Sequence, residues 1–188
     1  MFRLVDFGVL LPVPAFLSPV FGINFPNARS PFRANLFRMK EDTKITRQKM
    51  VDLLNEDLAR EYQAIIAYVI YSQTMKGAEY NHIAEELEAH AGEELQHAIK
   101  VAKQIDYFNG TPTNKPKEVK MSDKPKDMLR FDLENERQTL INYRQRVRQA
   151  DEMGEYALGE VLREIIAQEQ EHLQDLADAL GIDTPKIE

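Results

Sequence analysis

Two short segments place a glutamate three residues before a histidine: Glu94 with His97 in "EELQHA", and Glu169 with His172 in "EQEH". In a helix that interval is one turn, so each carboxylate and its imidazole share a face. Two further glutamates stand at a matching distance upstream. Glu61 precedes Glu94 by 33 positions, and Glu136 precedes Glu169 by the same 33. Four carboxylates and two imidazoles in this arrangement form an all-oxygen-and-nitrogen donor set. Two divalent cations would match the four negative charges, and such donors suit Fe, Mn or Zn better than a soft thiolate-seeking metal.

The elements that must carry these residues follow from the apolar pattern. Four amphipathic runs span roughly 46–76, 79–108, 123–152 and 155–180, and Gly77, Asn109-Gly110, Gly154 and Gly181 end them. Read at steps of three and four, the first seam is Leu54, Leu58, Glu61, Ile65, Tyr68, and the second is Ile83, Leu87, His90, Glu94, His97, Val101. The third is Leu129, Leu133, Glu136, Leu140, Tyr143, Val147, and the fourth is Leu158, Leu162, Ile165, Glu169, His172, Leu176. Each seam is apolar except around its centre. A buried ion without a partner costs several kcal/mol, so four carboxylates at one level need a counter-charge that no basic seam residue supplies. The fold expected is all-α: two similar helical hairpins, joined by the long Pro-containing crossover "TPTNKPKEVKMSDKP", closed into a four-helix bundle over 45–181 with a short tail at 182–188.

These motifs resemble the bacterioferritin branch of the ferritin-like superfamily. "REYQAI" is similar to its first-helix Glu motif, "NERQTL" to its third-helix Glu, and the two Glu-x-x-His segments to its paired ligands. The resemblance implies a ferritin-like di-iron site of Glu61, Glu94, His97, Glu136, Glu169 and His172. Glu94 and Glu169 would bridge the ions. Glu61 with His97, and Glu136 with His172, would be terminal ligands, which leaves open which imidazole joins which ion. It further implies a ferroxidase that oxidises Fe(II) with O2 or H2O2 for iron storage or detoxification, and Mn or Zn as substitute metals. Tyr68 matches a tyrosine near the family's centre and is read as redox-active, as a hydrogen-bonding neighbour, or as a plain core residue. The alternatives are a rubrerythrin-like peroxide reductase and a non-catalytic metal-binding bundle. Thr139 stands where rubrerythrins carry an extra glutamate, which weighs against the former. Leu95 replaces the haem-binding methionine of bacterioferritins, so no haem is expected. The chain ends eight residues after Leu180 with Pro185 between, which departs from the short fifth helix of the 24-subunit cages. A homo-oligomer is expected, its size left open.

Composition narrows the classes. Cysteine is absent, which excludes a rubredoxin-type centre, a disulfide framework and a thiol nucleophile. A net charge of −7 argues against nucleic acid as a partner. Residues 1–40 differ in kind, with five Lys/Arg against one Asp and an apolar run broken by Pro12, Pro14 and Pro19. That segment is read as a disordered or loosely docked extension over 1–44, or as sequence upstream of a true start at Met39. It suits neither a membrane span nor an efficient signal peptide, so a cytoplasmic protein is expected. His90 is read as a neighbour of the metal ligands or as a residue that feeds iron to them. His82 and the "EELE" run at 85–88 are read as solvent-facing, and Gly92 and Gly159 as points of close helix approach.

Overall fold

The computed structural model describes residues 45–187, so the expected extension and the question of Met39 lie outside the described residues. Four long helices carry the fold. They are α1 (Arg47–Thr74), α2 (Asn81–Tyr107), α3 (Pro125–Met153) and α4 (Tyr156–Leu180). A single 3-10 turn, Ala78–Tyr80, leads into α2. Thr46 caps α1 by accepting from the backbone N–H of Lys49 at 3.1 Å, an interaction worth about 1 kcal/mol. The helix α3 begins on the proline that ends the crossover, where the absent N–H is not needed. Gly154 and Gly181 close α3 and α4 in the left-handed conformation, at φ 75° and 68°.

α1 packs along α2, α3 along α4, and the hairpins meet through α1 on α3 and α2 on α4. The crossover climbs the length of α1. Asn55 binds the backbone at Thr111 and Thr113, the Lys117 N–H donates to Ala59 O, Gln63 donates to Glu118 O, and the Tyr71 hydroxyl donates to Lys120 O. α3 therefore starts beside the end of α1 and runs antiparallel to it. The order is up-down-down-up, and the two hairpins are related by a pseudo-twofold axis across the bundle. A sequence offset of 75 relates them: Leu54 corresponds to Leu129 and Leu87 to Leu162, and all four are fully buried.

The apolar core is in two parts. One contains Leu54, Leu58, Val101, Ile105, Leu158 and Leu162, and the other Leu87, Leu129, Leu140, Leu173 and Leu176. Burial of each such side chain stabilises the fold by about 1.5–3 kcal/mol. A polar layer lies between the two parts. The glycine expectation divides. Gly92 is exposed, and a Cβ there would meet nothing within 4 Å, so no helix approaches it closely. Gly159 is buried beneath the Asp151–Arg163 ion pair, with Asp151 reaching over from the end of α3.

Candidate metal centre

All six sequence-selected side chains meet in the polar layer, and none is more than 2% exposed. Their donor atoms form two overlapping groups, each gathered within 4.8 Å. One is Glu61, Glu94, His97 and Glu169; the other is Glu94, Glu136, Glu169 and His172. Glu94 and Glu169 belong to both, so each group adds one further carboxylate and one imidazole. His97 Nδ1 lies 3.3 Å from Glu94 and 3.2 Å from Glu169. His172 Nδ1 lies 2.9 Å from Glu94 and 3.7 Å from Glu169. The other nitrogen of each ring is occupied: His97 Nε2 meets Gln168 at 3.0 Å, and His172 Nε2 meets Glu93 at 2.7 Å. Those outer partners aim both Nδ1 atoms inward.

The residues fit a pair of cations on one observation. Glu61 Oε2, Glu94 Oε1, both oxygens of Glu169, and His172 Nδ1 are buried and make no well-aligned hydrogen bond, although the carboxylates and imidazoles crowd together. So many orphaned acceptors in one place are costly unless something positive lies among them. Without metal, protons do that work. Burial disfavours charge on His97, but the carboxylates of Glu169, Glu61 and Glu94 outweigh it and hold the imidazole well above its usual range. Burial likewise opposes a charged His172, yet Glu169 and Glu94 push it up to about 10. Burial would raise Glu94, but His172 and His97 hold it far below the usual carboxylate range. Burial and the charge of Glu94 would raise Glu169, and His172 and His97 again bring it down. Burial, with the charge of Glu94 or of Glu169 respectively, lifts Glu61 and Glu136 well above theirs. The layer thus favours the charged forms of both imidazoles, Glu94 and Glu169, and the protonated forms of Glu61 and Glu136.

Two tyrosines complete it. Tyr68 donates to Glu136, and Tyr143 donates to Glu61, each across the pseudo-twofold to the other hairpin. The sequence reading singled out Tyr68 alone. The 75-residue repeat that relates Glu61 to Glu136 also relates Tyr68 to Tyr143, and was the signal for the second phenol. Burial, then the neighbouring carboxylates, keep both phenols protonated.

His90 belongs to neither four-donor group. It is buried, stacks on the His172 ring at 4.0 Å between centroids, and lies 3.3 Å from Asp175. His82 is solvent-facing as expected, with its side chain 85% exposed. Of the "EELE" run, Glu85 and Glu88 are exposed, Leu87 is core, and Glu86 is half-buried near His90. One turn beyond the layer, Arg146 forms a buried ion pair with Asp57 at 2.7 Å. Sequence reading missed this pair, because neither residue lies on a seam.

Comparison with known proteins agrees with this geometry. A bacterioferritin of Brucella melitensis is 26% identical over 137 residues, 71% of this chain and 84% of that protein. The crystal structure of a ferritin-like, diiron-carboxylate protein from Bacillus anthracis is 32% identical, with a TM-score of 0.69 over 71% of this chain and 96% of that one. A dodecameric thioferritin, the bacterioferritin-related protein of Bacteroides fragilis, shares the fold at 24% identity and a TM-score of 0.68, covering 81% of this chain and 94% of that one. With four helices that bring two Glu-x-x-His pairs and two lone glutamates to one layer, and with the ferritin-like domain model matching residues 51–183, the chain belongs to the ferritin-like family.

Proposed function

We propose that this protein is a ferroxidase: Glu61, Glu94, His97, Glu136, Glu169 and His172 bind two Fe2+ ions, which O2 or H2O2 then oxidises to Fe3+. The observation that carries the reading is the pair of four-donor groups sharing Glu94 and Glu169. Two groups with two common carboxylates are the geometry for two adjacent ions with Glu94 and Glu169 between them. Each Fe2+ would displace protons from the layer, because bound imidazoles and carboxylates must give theirs up. The electrons balance simply. Two Fe2+ yield two electrons, and O2 takes them with two protons to give H2O2; with H2O2 as oxidant the product is two waters. Tyr68 and Tyr143 hold Glu136 and Glu61 in place, and the apolar halves of the core keep bulk water from the layer. Iron storage or detoxification is the role such a reaction serves.

Self-association is part of the proposal. The α1–α2 hairpin exposes Ile66, Val69, Leu95 and Ile99, apolar side chains that a second copy of the chain would cover. Leu95 offers no donor atom to a haem iron, so the proposal includes no haem. The test is stopped-flow absorbance after anaerobic loading with two Fe2+ per chain and mixing with O2, or in a second arm with H2O2. The expected result is a fast ferric signal in the wild type, lost in Glu94→Ala and in Glu169→Ala. Wild-type rates in either variant would overturn the assignment.

A further inference from the structure

The pseudo-twofold that relates the metal-binding residues fails outside them, and it fails in one direction. At the end of the bundle where α2 begins and α4 finishes, Glu86, His90, Glu93 and Asp175 flank the layer. The residues at the same places in the opposite hairpin are Val161, Ile165, Gln168 and Lys100. Asp178, one turn beyond Asp175, is likewise matched by Lys103. Each of these five potential cation ligands is apolar, amide or cationic at its counterpart.

The first side also has continuity. A surface pocket of about 400 Å³ is lined by Glu79, His82, Glu86, Asp175 and Asp178. Donor atoms of Glu86, His90 and Asp175 come within 4.8 Å of one another, and so do those of His90, Glu93 and His172. The second group shares His172 with the buried centre. His90 is common to both groups, is only 3% exposed, and keeps its Nδ1 without a hydrogen-bond partner. Three donor groups thus run without a gap from the pocket to the di-metal layer, each handing one residue to the next.

We propose that Glu86, His90 and Asp175 form a transit site through which divalent cations pass from the acidic pocket to the centre, and that this end is the way in. The proposal rests on the di-metal reading above. The acidic lining of this pocket draws cations to it, whereas at the mirror positions Lys100, paired with Glu164, and Lys103 offer no ligand. Glu93 then stands where Gln168 stands on the far side, so a cation leaving His90 meets a carboxylate before it reaches His172.

The test follows Co2+ loading of the metal-free full chain by stopped-flow visible absorbance, with final stoichiometry from equilibrium dialysis. In Glu86→Gln/Asp175→Asn, loading is expected to slow about tenfold, with two ions per chain still bound at the end. His90→Ile, which installs the residue of the mirror position, is expected to slow it likewise. Lys100→Gln/Lys103→Gln is expected to stay within twofold of wild type. Wild-type chain that fills normally while Glu86→Gln/Asp175→Asn loads at the same rate would overturn the route alone. Fewer ions at the end with an unaltered initial rate would also overturn it, since those residues would then belong to the centre. Wild type that takes up no Co2+ would overturn the di-metal reading and the route with it.

Discussion

The hydroxyl of Tyr143, on α3, donates to Glu61, on α1, and so ties the two hairpins together at the metal-binding layer. Tyr68 and Glu136 repeat the contact with the helices exchanged. The equivalence separates two roles for Tyr68. If both phenols serve as donors to a terminal carboxylate, Tyr68→Phe and Tyr143→Phe alter Fe2+ oxidation to the same degree, within about twofold. Each also destabilises the metal-free protein by about 1–3 kcal/mol, the cost of a buried acceptor left unmade. Urea unfolding and stopped-flow absorbance measure the two effects. Slowed oxidation confined to Tyr68→Phe, with a tyrosyl signal in the wild type by electron paramagnetic resonance, would instead assign Tyr68 a redox role.

The register of α3 can be checked two residues away. Glu134 has its side chain 62% exposed and pairs only with Arg137, whereas Glu136 is buried in the layer. Glu134→Ala is expected to keep full ferroxidase activity and change stability by less than about 0.5 kcal/mol. Glu136→Ala is expected to lose the fast phase. Equal losses in the two variants would place the wrong glutamate in the site.

Metal loading has a pH dependence whose sign is determined by the histidines. The folded pKa of His172 is raised to about 10, and that of His97 is also raised, both by the glutamates that outweigh burial. Their contribution to metal-free stability is therefore complete below the unfolded value near 6.5 and is lost as pH rises towards the folded values. Glu61 and Glu136, raised by burial and neighbouring charge, lower stability as pH rises above the unfolded value near 4.5, because the unfolded chain ionises them first. Bound cations need the deprotonated donors, so the stabilisation by Mn2+ is expected to grow from pH 6 to pH 8.5. At free metal 100-fold above Kd it amounts to about 2.7 kcal/mol per site. Calorimetry with and without Mn2+ across this range is the check; a gain that shrinks with pH would contradict the charge assignment.

Two buried aspartates at pseudo-equivalent positions should respond oppositely to the same substitution. Asp57 faces Arg146, so Asp57→Asn leaves a buried guanidinium without its counter-ion and is expected to cost about 3 kcal/mol. Asp132 stands 75 residues later, but Tyr71 replaces the arginine, and Asp132 Oδ2 has no partner. Burial, and then the charge of Glu94, raise the Asp132 pKa well above its ordinary value. The unfolded chain ionises this group first, so it lowers stability as pH rises above about 3.8. Asp132→Asn is therefore expected to raise Tm at neutral pH, by a margin that widens from pH 4 to pH 7. Thermal melts of both variants over that interval decide the point.

How much of this was legible in the sequence depends on how local the cause is. Helix existence, the seams and the six candidate ligands were readable because a 3.6-residue period and a one-turn Glu-to-His spacing are properties of a single helix. The 75-residue offset then related the hairpins without any coordinates. Helix ends were less readable: α1 stops at Thr74, two residues before the boundary expected at 76, because Met75 turns extended ahead of Gly77. What only the tertiary structure decided is what faces what across helices. The exchange of phenols between hairpins, the Asp57–Arg146 pair, and the stacking of His90 on His172 join residues 68 to 89 positions apart or on different seams. The repeat placed one end of the bundle over the other, but only packing showed that Glu86, His90 and Asp175 converge while Val161, Ile165 and Lys100 stand in their place at the far end. Charge at a site is a sum over neighbours in space, and a periodic pattern along one chain does not contain that sum.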